Sequence, residues 1–440
     1  MSNDEYLEVL RRELVPALGC TEPIAVALAA AMARRILGRE PETAEITCSG
    51  NVVKNVKGVT VPRTGGMKGI EAAAIAGFVA GNPDAGLQVL ESVEEKDFPR
   101  IRAHIASHMC GTKLALGVEN LFIAAVLKAG GDEAEVRISG SHTNISYMAL
   151  NGRTISGAQG AADAPDAASA PATADTPAPD TRPLRLQGNI MSVRDILEFA
   201  DTVALDDIRN IISNQIRMNT AISEEGLRGN YGASVGRTLL ESRGADVRTR
   251  ARAGAAAGSD ARMSGSSMPV VINSGSGNQG ITVSIPVIEY AKDRDVSDET
   301  LYRALVLANL VSIHLKSMIG KLSAFCGAVS AACGCGAGIE YLCGGRYAEI
   351  SDTIKNTLAN VSGIVCDGAK PSCAAKIASA VDAAILAHDL TSCGHVFGGG
   401  EGLIDDDLET TMANIGRLGK VGMRGTDEEI LNLMIGVDGC

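Results

Sequence analysis

The stretch AEITCSG, Ala44 to Gly50, alternates apolar and polar residues and marks a change of texture along the chain. A period of two fits a strand with one buried face, whereas the residues before it follow the helical period. Residues 4–18 and 23–37 read as two helices separated by the turn GCTE, with Pro23 suited to the first position of the second helix and Gly38 to its end. Beyond the switch, AEVRIS (134–139) and ISYMAL (145–150) alternate again. Two helix-like runs lie between, KGIEAAAIAGFVAG (68–81) and a stretch near 114–129. Residues 43–155 therefore read as a small α/β unit. From about residue 190 the helical period returns and persists to DLETTMANIGRLG. The predicted class is α+β, a mainly helical domain (1–42 and 186–440) with an inserted α/β domain (43–155). The grouping of 1–42 with the later helices rests on Cys20 meeting the later cysteines in space. Residues 156–185 are Ala, Pro and Asp with almost no large apolar side chain. They cannot bury enough surface to offset ordering entropy and are expected to form a disordered insertion.

The chain has 440 residues, enough for a large core and two domains. Aromatics make up only 3 % and tryptophan is absent, so the core is expected to be filled by Ala, Ile, Leu and Val on closely packed helices. Such small-residue helix faces also suit a homodimer. A net charge of −12 argues against a nucleic-acid partner. Apolar runs are cut by charge, as where PIAVALAAAMA meets Arg34 and Arg35, so no membrane partner is expected. The opening MSNDEYLEVL is acidic where a secretory signal would be basic and then apolar. Eleven cysteines, an odd number in a large chain, then fit a reducing cytoplasm better than a disulfide framework.

In a reducing compartment cysteines are more often metal-binding or catalytic. Cys366 and Cys373 flank a sharp turn in CDGAKPSC, forty residues after Cys326 in LSAFC, while Cys20 stands apart in GCTEP. Soft thiolates at such intervals can hold an iron–sulfur cluster, and three of them leave one iron of a four-iron cube open to substrate. Zinc competes, although the usual CxxC knuckle is missing. Cys373 is expected in the first turn of a helix, where amide dipoles favour the thiolate. Cys333 and Cys335, in AACGCGAG, read as helix packing, as do Cys48, Cys110 and Cys343 as small apolar fillers.

NSGSGNQG (273–280) contains a literal GxGxxG, but no βαβ frame surrounds it. The same physics suits a smaller anion: backbone amides with Ser274, Ser276, Asn278 and Gln279 converging on a carboxylate at a helix start. The alternative is a tight turn and nothing more. GNVVKN places Asn51 and Lys54, and SGSHTN places His142, Thr143 and Asn144, in loops leaving strands of the α/β unit, where they could face the helical domain. The Asp260–Arg262 pair of SDARM reads equally well as a surface ion pair.

Taken in order, PALGCTEPIAVALAAA, NVVKN with GVTVPRTGG, GSHTNI, SDARM, NSGSGNQGI, LSAFC and CDGAKPSCAAK resemble the L-cysteine desulfidase family, related to the α-chain of iron–sulfur L-serine dehydratases. The resemblance covers nearly the whole chain apart from 156–185 and the extreme C-terminus. It implies a [4Fe–4S] enzyme that converts a small amino-acid substrate, L-cysteine, to pyruvate, ammonia and hydrogen sulfide without pyridoxal phosphate. By motif it assigns Cys326, Cys366 and Cys373 as cluster ligands and Cys20 as the proton acceptor, a role that needs a depressed thiol pKa near Pro23. L-serine dehydratase on the same cluster is the nearest rival. An iron–sulfur sensor is disfavoured by the absence of a basic recognition helix, and no Schiff-base lysine with a phosphate loop is evident. The tail GVDGC departs from the family, and Cys440 invites the reading of a thiol that occupies the open iron when substrate is absent.

Overall fold

The protein was analysed as a computed structural model that describes residues 1–157, 185–186, 189–320 and 322–436. Most of the proposed insertion and Cys440 lie outside the described residues. Helix α1 (Asn3–Glu13) opens on a capping box between Ser2 and Glu5. It ends earlier than expected, because residues 16–18 form β1 (Pro16–Leu18). Helix α2 (Thr21–Leu37) begins two residues before Pro23 and stops at Gly38, whose φ of 74° is the left-handed conformation that glycine adopts freely. The α/β region follows as β2 (Thr43–Ser49), α3 (Gly50–Val56), α4 (Ile70–Ala80), α5 (Phe98–Ala106), β3 (Cys110–Ala115), β4 (Phe122–Ala129), β5 (Asp132–Ser139), β6 (Ile145–Leu150) and β7 (Arg153–Gly157). A short pair, β8 (Arg185–Leu186) and β9 (Asn189–Ile190), precedes α6 (Val193–Thr202), α7 (Leu205–Arg228), α8 (Val235–Arg243), α9 (Val247–Met263) and β10 (Pro269–Val271). Helices α10 (Gly277–Asp293), α11 (Asp298–Ile319), α12 (Gly327–Leu342), α13 (Tyr347–Asn360), α14 (Cys373–Ser392), α15 (Leu408–Arg417) and α16 (Arg424–Ile435) complete the chain.

The architecture is mainly helical with a small mixed sheet, about 60 % helix among the described residues. The sheet runs β3-β2-β4-β5-β6-β7, with β2 and β3 parallel and the other pairs antiparallel. Two expectations fail here. The run near 114–129 is not helical: FIAAVLKA forms β4, a central strand between β2 and β5 whose alanines are mostly buried. The run carries apolar residues on both faces, although Phe122 and Val126 are only partly buried and Lys128 is exposed, so its sequence shows no alternation to betray it. GNVVKN is not a loop but the helix α3. Helix α2, grouped from sequence with the later helices, packs on α4, β4 and β5, while α1 packs on α7 and α11.

Small residues set the helix spacing. A Cβ added at Gly77 of α4 would lie 2.3 Å from the Ala27 carbonyl oxygen of α2, and one at Gly334 of α12 would lie 2.3 Å from the Ala308 oxygen of α11. Helix α12 is the hub of the helical body, packed against α10, α11, α13 and α14. Cys333 and Cys335 are fully buried along it, as expected of packing residues. No described helix is long and apolar enough to cross a membrane.

Candidate functional site

Four helices begin at one cavity. Cys20 is the N-cap of α2, Ser276 of α10 and Cys326 of α12, while Cys373 is the first residue of α14, and all four side chains line the cavity. Its volume is about 90 Å³. Each helix turns the positive end of its dipole there, which favours thiolates and carboxylates.

Local structure explains how distant thiols meet. Residues 325 and 365 form an isolated antiparallel bridge, flanked by Cys326 N–H to the Ile364 carbonyl (2.8 Å) and Cys366 N–H to the Ala324 carbonyl (2.7 Å). The chain then turns at Gly368, where φ is 97° and an added Cβ would lie 2.3 Å from the Lys54 carbonyl oxygen, and Cys373 starts α14. Cys326, Cys366 and Cys373 are free thiols on the same cavity. The Cys326 thiol hydrogen-bonds to Cys366, and this bond, with the charges of Lys54 and Lys316, outweighs burial and holds the Cys366 thiol down at about 5. Cys326 is pushed up as the partner that keeps its proton, and burial pushes Cys373 up. Among the described residues no three His, Cys, Asp or Glu side chains gather at the spacing of a single metal ion. A four-iron cube takes each thiolate at a different corner, so its ligands stand wider apart, and three soft donors facing positive helix ends suit it.

The Cys20 side is a polar chain. Its thiol donates to Glu22 Oε2 at 2.9 Å, and Glu22 Oε1 lies 3.8 Å from His142 Nε2, a buried atom with no hydrogen-bond partner. Burial pushes the Glu22 carboxyl up, but His142, the Cys20 thiol and a backbone amide outweigh it and hold it at about 2. Cys20 behaves contrary to expectation: burial, then the Glu22 charge, push its thiol well above the ordinary range, with Arg262 opposing. Burial, with the adjacent carboxylate, overrides the start of the helix.

The glycine-rich segment is a tight turn leading into a helix. Ser274 and Gly275 both have positive φ (51° and 80°) between the paired backbones of Asn273 and Ser276, as a type I′ turn requires. Ser276 then caps α10 through the Gln279 amide. Ser276, Asn278 and Gln279 line the cavity; Ser274 is bonded instead to the Asn273 side chain. His142 packs on this turn, near Gly275. Thr143 and Asn144 are exposed, and Asn144 closes its own turn on the Ser139 carbonyl. Asn51 and Lys54 are absent from the lining, because both side chains are bound to Asp427 at the start of α16. Lys54 also reaches the Cys366 carbonyl at 3.3 Å.

Glu22, Asn55, Lys316 and Ser323 line the cavity but escaped the sequence reading, and Arg262, read there equally well as a surface residue, lines it too. Asp260 and Arg262 are both buried, so SDARM is no surface ion pair. Arg262 donates to Asn278 Oδ1 (3.0 Å) while its Nε stays buried without a partner, as does Gln279 Oε1. Lys316 is 4 % exposed, and its ammonium has no hydrogen-bond or ion-pair partner among the described residues. Burial pushes its ammonium pKa down, against the pull of Cys366 and Cys326.

The family described as serine dehydratase alpha chain matches residues 84–432. The chain belongs to that family. Its relatives include UPF0597 proteins of Desulfitobacterium hafniense (49 % identical, covering 98 % of this chain and 96 % of the relative) and Lachnoclostridium phytofermentans (48 %, covering 98 % and 99 %). A further one, from Treponema denticola, is 44 % identical over 98 % of both chains. The match spans the segments that carry His142, Arg262, Lys316 and the three thiols Cys326, Cys366 and Cys373.

Proposed function

We propose that this chain is an iron–sulfur-dependent lyase of the serine dehydratase type whose preferred substrate is L-cysteine, released as pyruvate, ammonia and hydrogen sulfide. The observation that carries the reading is the convergence of four helix N-termini and three free thiols on a cavity that also holds two buried cations. Cys326, Cys366 and Cys373 would hold a [4Fe–4S] cluster, which when bound supplies a Lewis-acidic iron for the leaving sulfur.

The protein's own groups have separate tasks. Lys316 and Arg262 hold the substrate carboxylate, since both are buried cations on the lining and neither forms an ion pair with a carboxylate among the described residues. Gln279 Oε1, a buried acceptor without a partner, takes a hydrogen bond from the α-amino group. The α-proton goes to Cys20 Sγ as the thiol's own proton passes to Glu22 Oε2, to which it is already hydrogen-bonded, with His142 beside the other carboxylate oxygen. As the Cα–H and Cβ–S bonds break, aminoacrylate and hydrogen sulfide form; water then converts aminoacrylate to pyruvate and ammonia.

The test is anaerobic turnover of both amino acids without added pyridoxal phosphate. Equal yields of sulfide and pyruvate from L-cysteine, with a higher kcat/KM than for L-serine, are expected. The reverse order would favour the second reading, L-serine dehydratase, which the family description supports. Iron-replete protein that turns over neither would overturn both. Cys20→Ser should keep the cluster spectrum and lose turnover; loss of the spectrum would make Cys20 a ligand instead.

A further inference from the structure

At the far end of α12 a second thiol sits in a different setting. Cys343 Sγ lies 3.6 Å from His388 Nε2, and His388 Nδ1 lies 2.6 Å from Glu340 Oε2. Glu340 is fixed in turn by the Thr353 hydroxyl at 3.1 Å. The imidazole spends one nitrogen on each neighbour, so the three groups form a line. A metal site would instead have them converge on a point, and among the described residues no such grouping occurs. Nucleophile, base and orienting carboxylate in series are the arrangement that activates a thiol.

The neighbourhood supports a charged relay. Cys343 closes the C-terminal end of α12, where the helix dipole disfavours a thiolate, so any activation must come from His388. His388 stands near the C-terminal end of α14, where a cation is favoured. The Tyr290 ring meets the imidazole edge-on at 6.4 Å and shields it. The His388 and Glu340 side chains are only 12 % and 6 % exposed, yet Cys343 is partly exposed. Gly344, which follows it, has open space where a Cβ would stand. A small molecule can reach the sulfur while its base stays covered.

We propose that Cys343 is a reactive thiol, activated by His388 and Glu340, that forms mixed disulfides with small disulfide compounds. The thiol proton of Cys343 is held on His388 Nε2, facing the sulfur, as that sulfur attacks one sulfur of the reagent. The new Sγ–S bond forms as the reagent's S–S bond breaks, and the departing thiolate takes the proton from His388. The net change is thiol plus disulfide to mixed disulfide plus free thiol. This site is independent of the cavity and of the reaction proposed there.

Cys393, which is exposed, provides an internal reference. The iron-replete protein is treated anaerobically with glutathione disulfide, and adducts at each cysteine are followed over time by peptide mass spectrometry. Cys343 is expected to react faster than the more exposed Cys393 by on the order of tenfold, because an imidazole placed to hold the thiol proton outweighs access. In His388→Gln, with folding checked by its thermal midpoint, the Cys343 rate should fall to that of Cys393 or below. A Cys343 rate no greater than that of Cys393 in the unmodified protein would overturn the proposal without use of any variant. An unchanged rate in folded His388→Gln would overturn the role of the imidazole.

Discussion

The two ends of helix α12 carry the same chemical group in opposite surroundings. At the N-terminus, Cys326 meets Cys366, three other helix starts and Lys316, so anionic sulfur is stabilised by dipoles and a buried cation. At the C-terminus, Cys343 faces an adverse dipole and depends on one imidazole. Between them, Cys333 and Cys335 are buried in packing, and burial pushes both thiols up, Cys335 to about 12. A thiol's chemistry here is set by its position along the helix and by its neighbours.

The largest effect should come from breaking the N-terminal end. Cys326→Ala and Cys366→Ala are expected to lose iron, acid-labile sulfide and turnover to background, whereas Cys343→Ala keeps all three; metal analysis and assay separate them. Lys316→Met should leave iron content intact and raise KM by roughly tenfold to a hundredfold, the value of a lost charge-assisted hydrogen bond. The middle of the helix tests packing alone. Gly334→Ala should destabilise by about 1–3 kcal/mol in denaturant unfolding, since the new methyl strikes the Ala308 carbonyl.

The smallest effect lies at the C-terminal end and is one of pH. Burial pushes the His388 imidazolium down, but Cys343 and Glu340 outweigh it and raise its pKa from 6.5 to about 9. The proton is bound more tightly in the folded state, so this stabilisation is complete below pH 6.5 and disappears as pH rises through about 9. His388→Gln should flatten the thermal-midpoint profile across that interval; an unaltered profile would remove the ionised imidazole from the account.

Legibility followed local chemistry. Gly38 marked the end of α2, and the alternation of residues 134–139 and 145–150 marked β5 and β6, because backbone conformation and one-sided burial leave a trace at short range. Strand β4 left none, since its partly exposed face also carries apolar residues, Phe122, Ala124 and Val126. In the site, the thiols and the Ser276–Gln279 segment were visible through spacing and glycine. Lys316 was hidden inside a helical run and Arg262 could be read as a surface ion pair, because a cation in sequence resembles any solvated one until packing buries it. Lys54 and Asn51 failed for the converse reason: their partner, Asp427, is far along the chain and belongs to a helix whose docking no local pattern announces.

Iron and acid-labile sulfide quantified on protein isolated without oxygen, alongside its lyase activity, bear most directly on the central claim. About four of each per chain, lost together with activity on chelation, is the expected result. Full turnover of L-cysteine or L-serine by iron-free protein would contradict it.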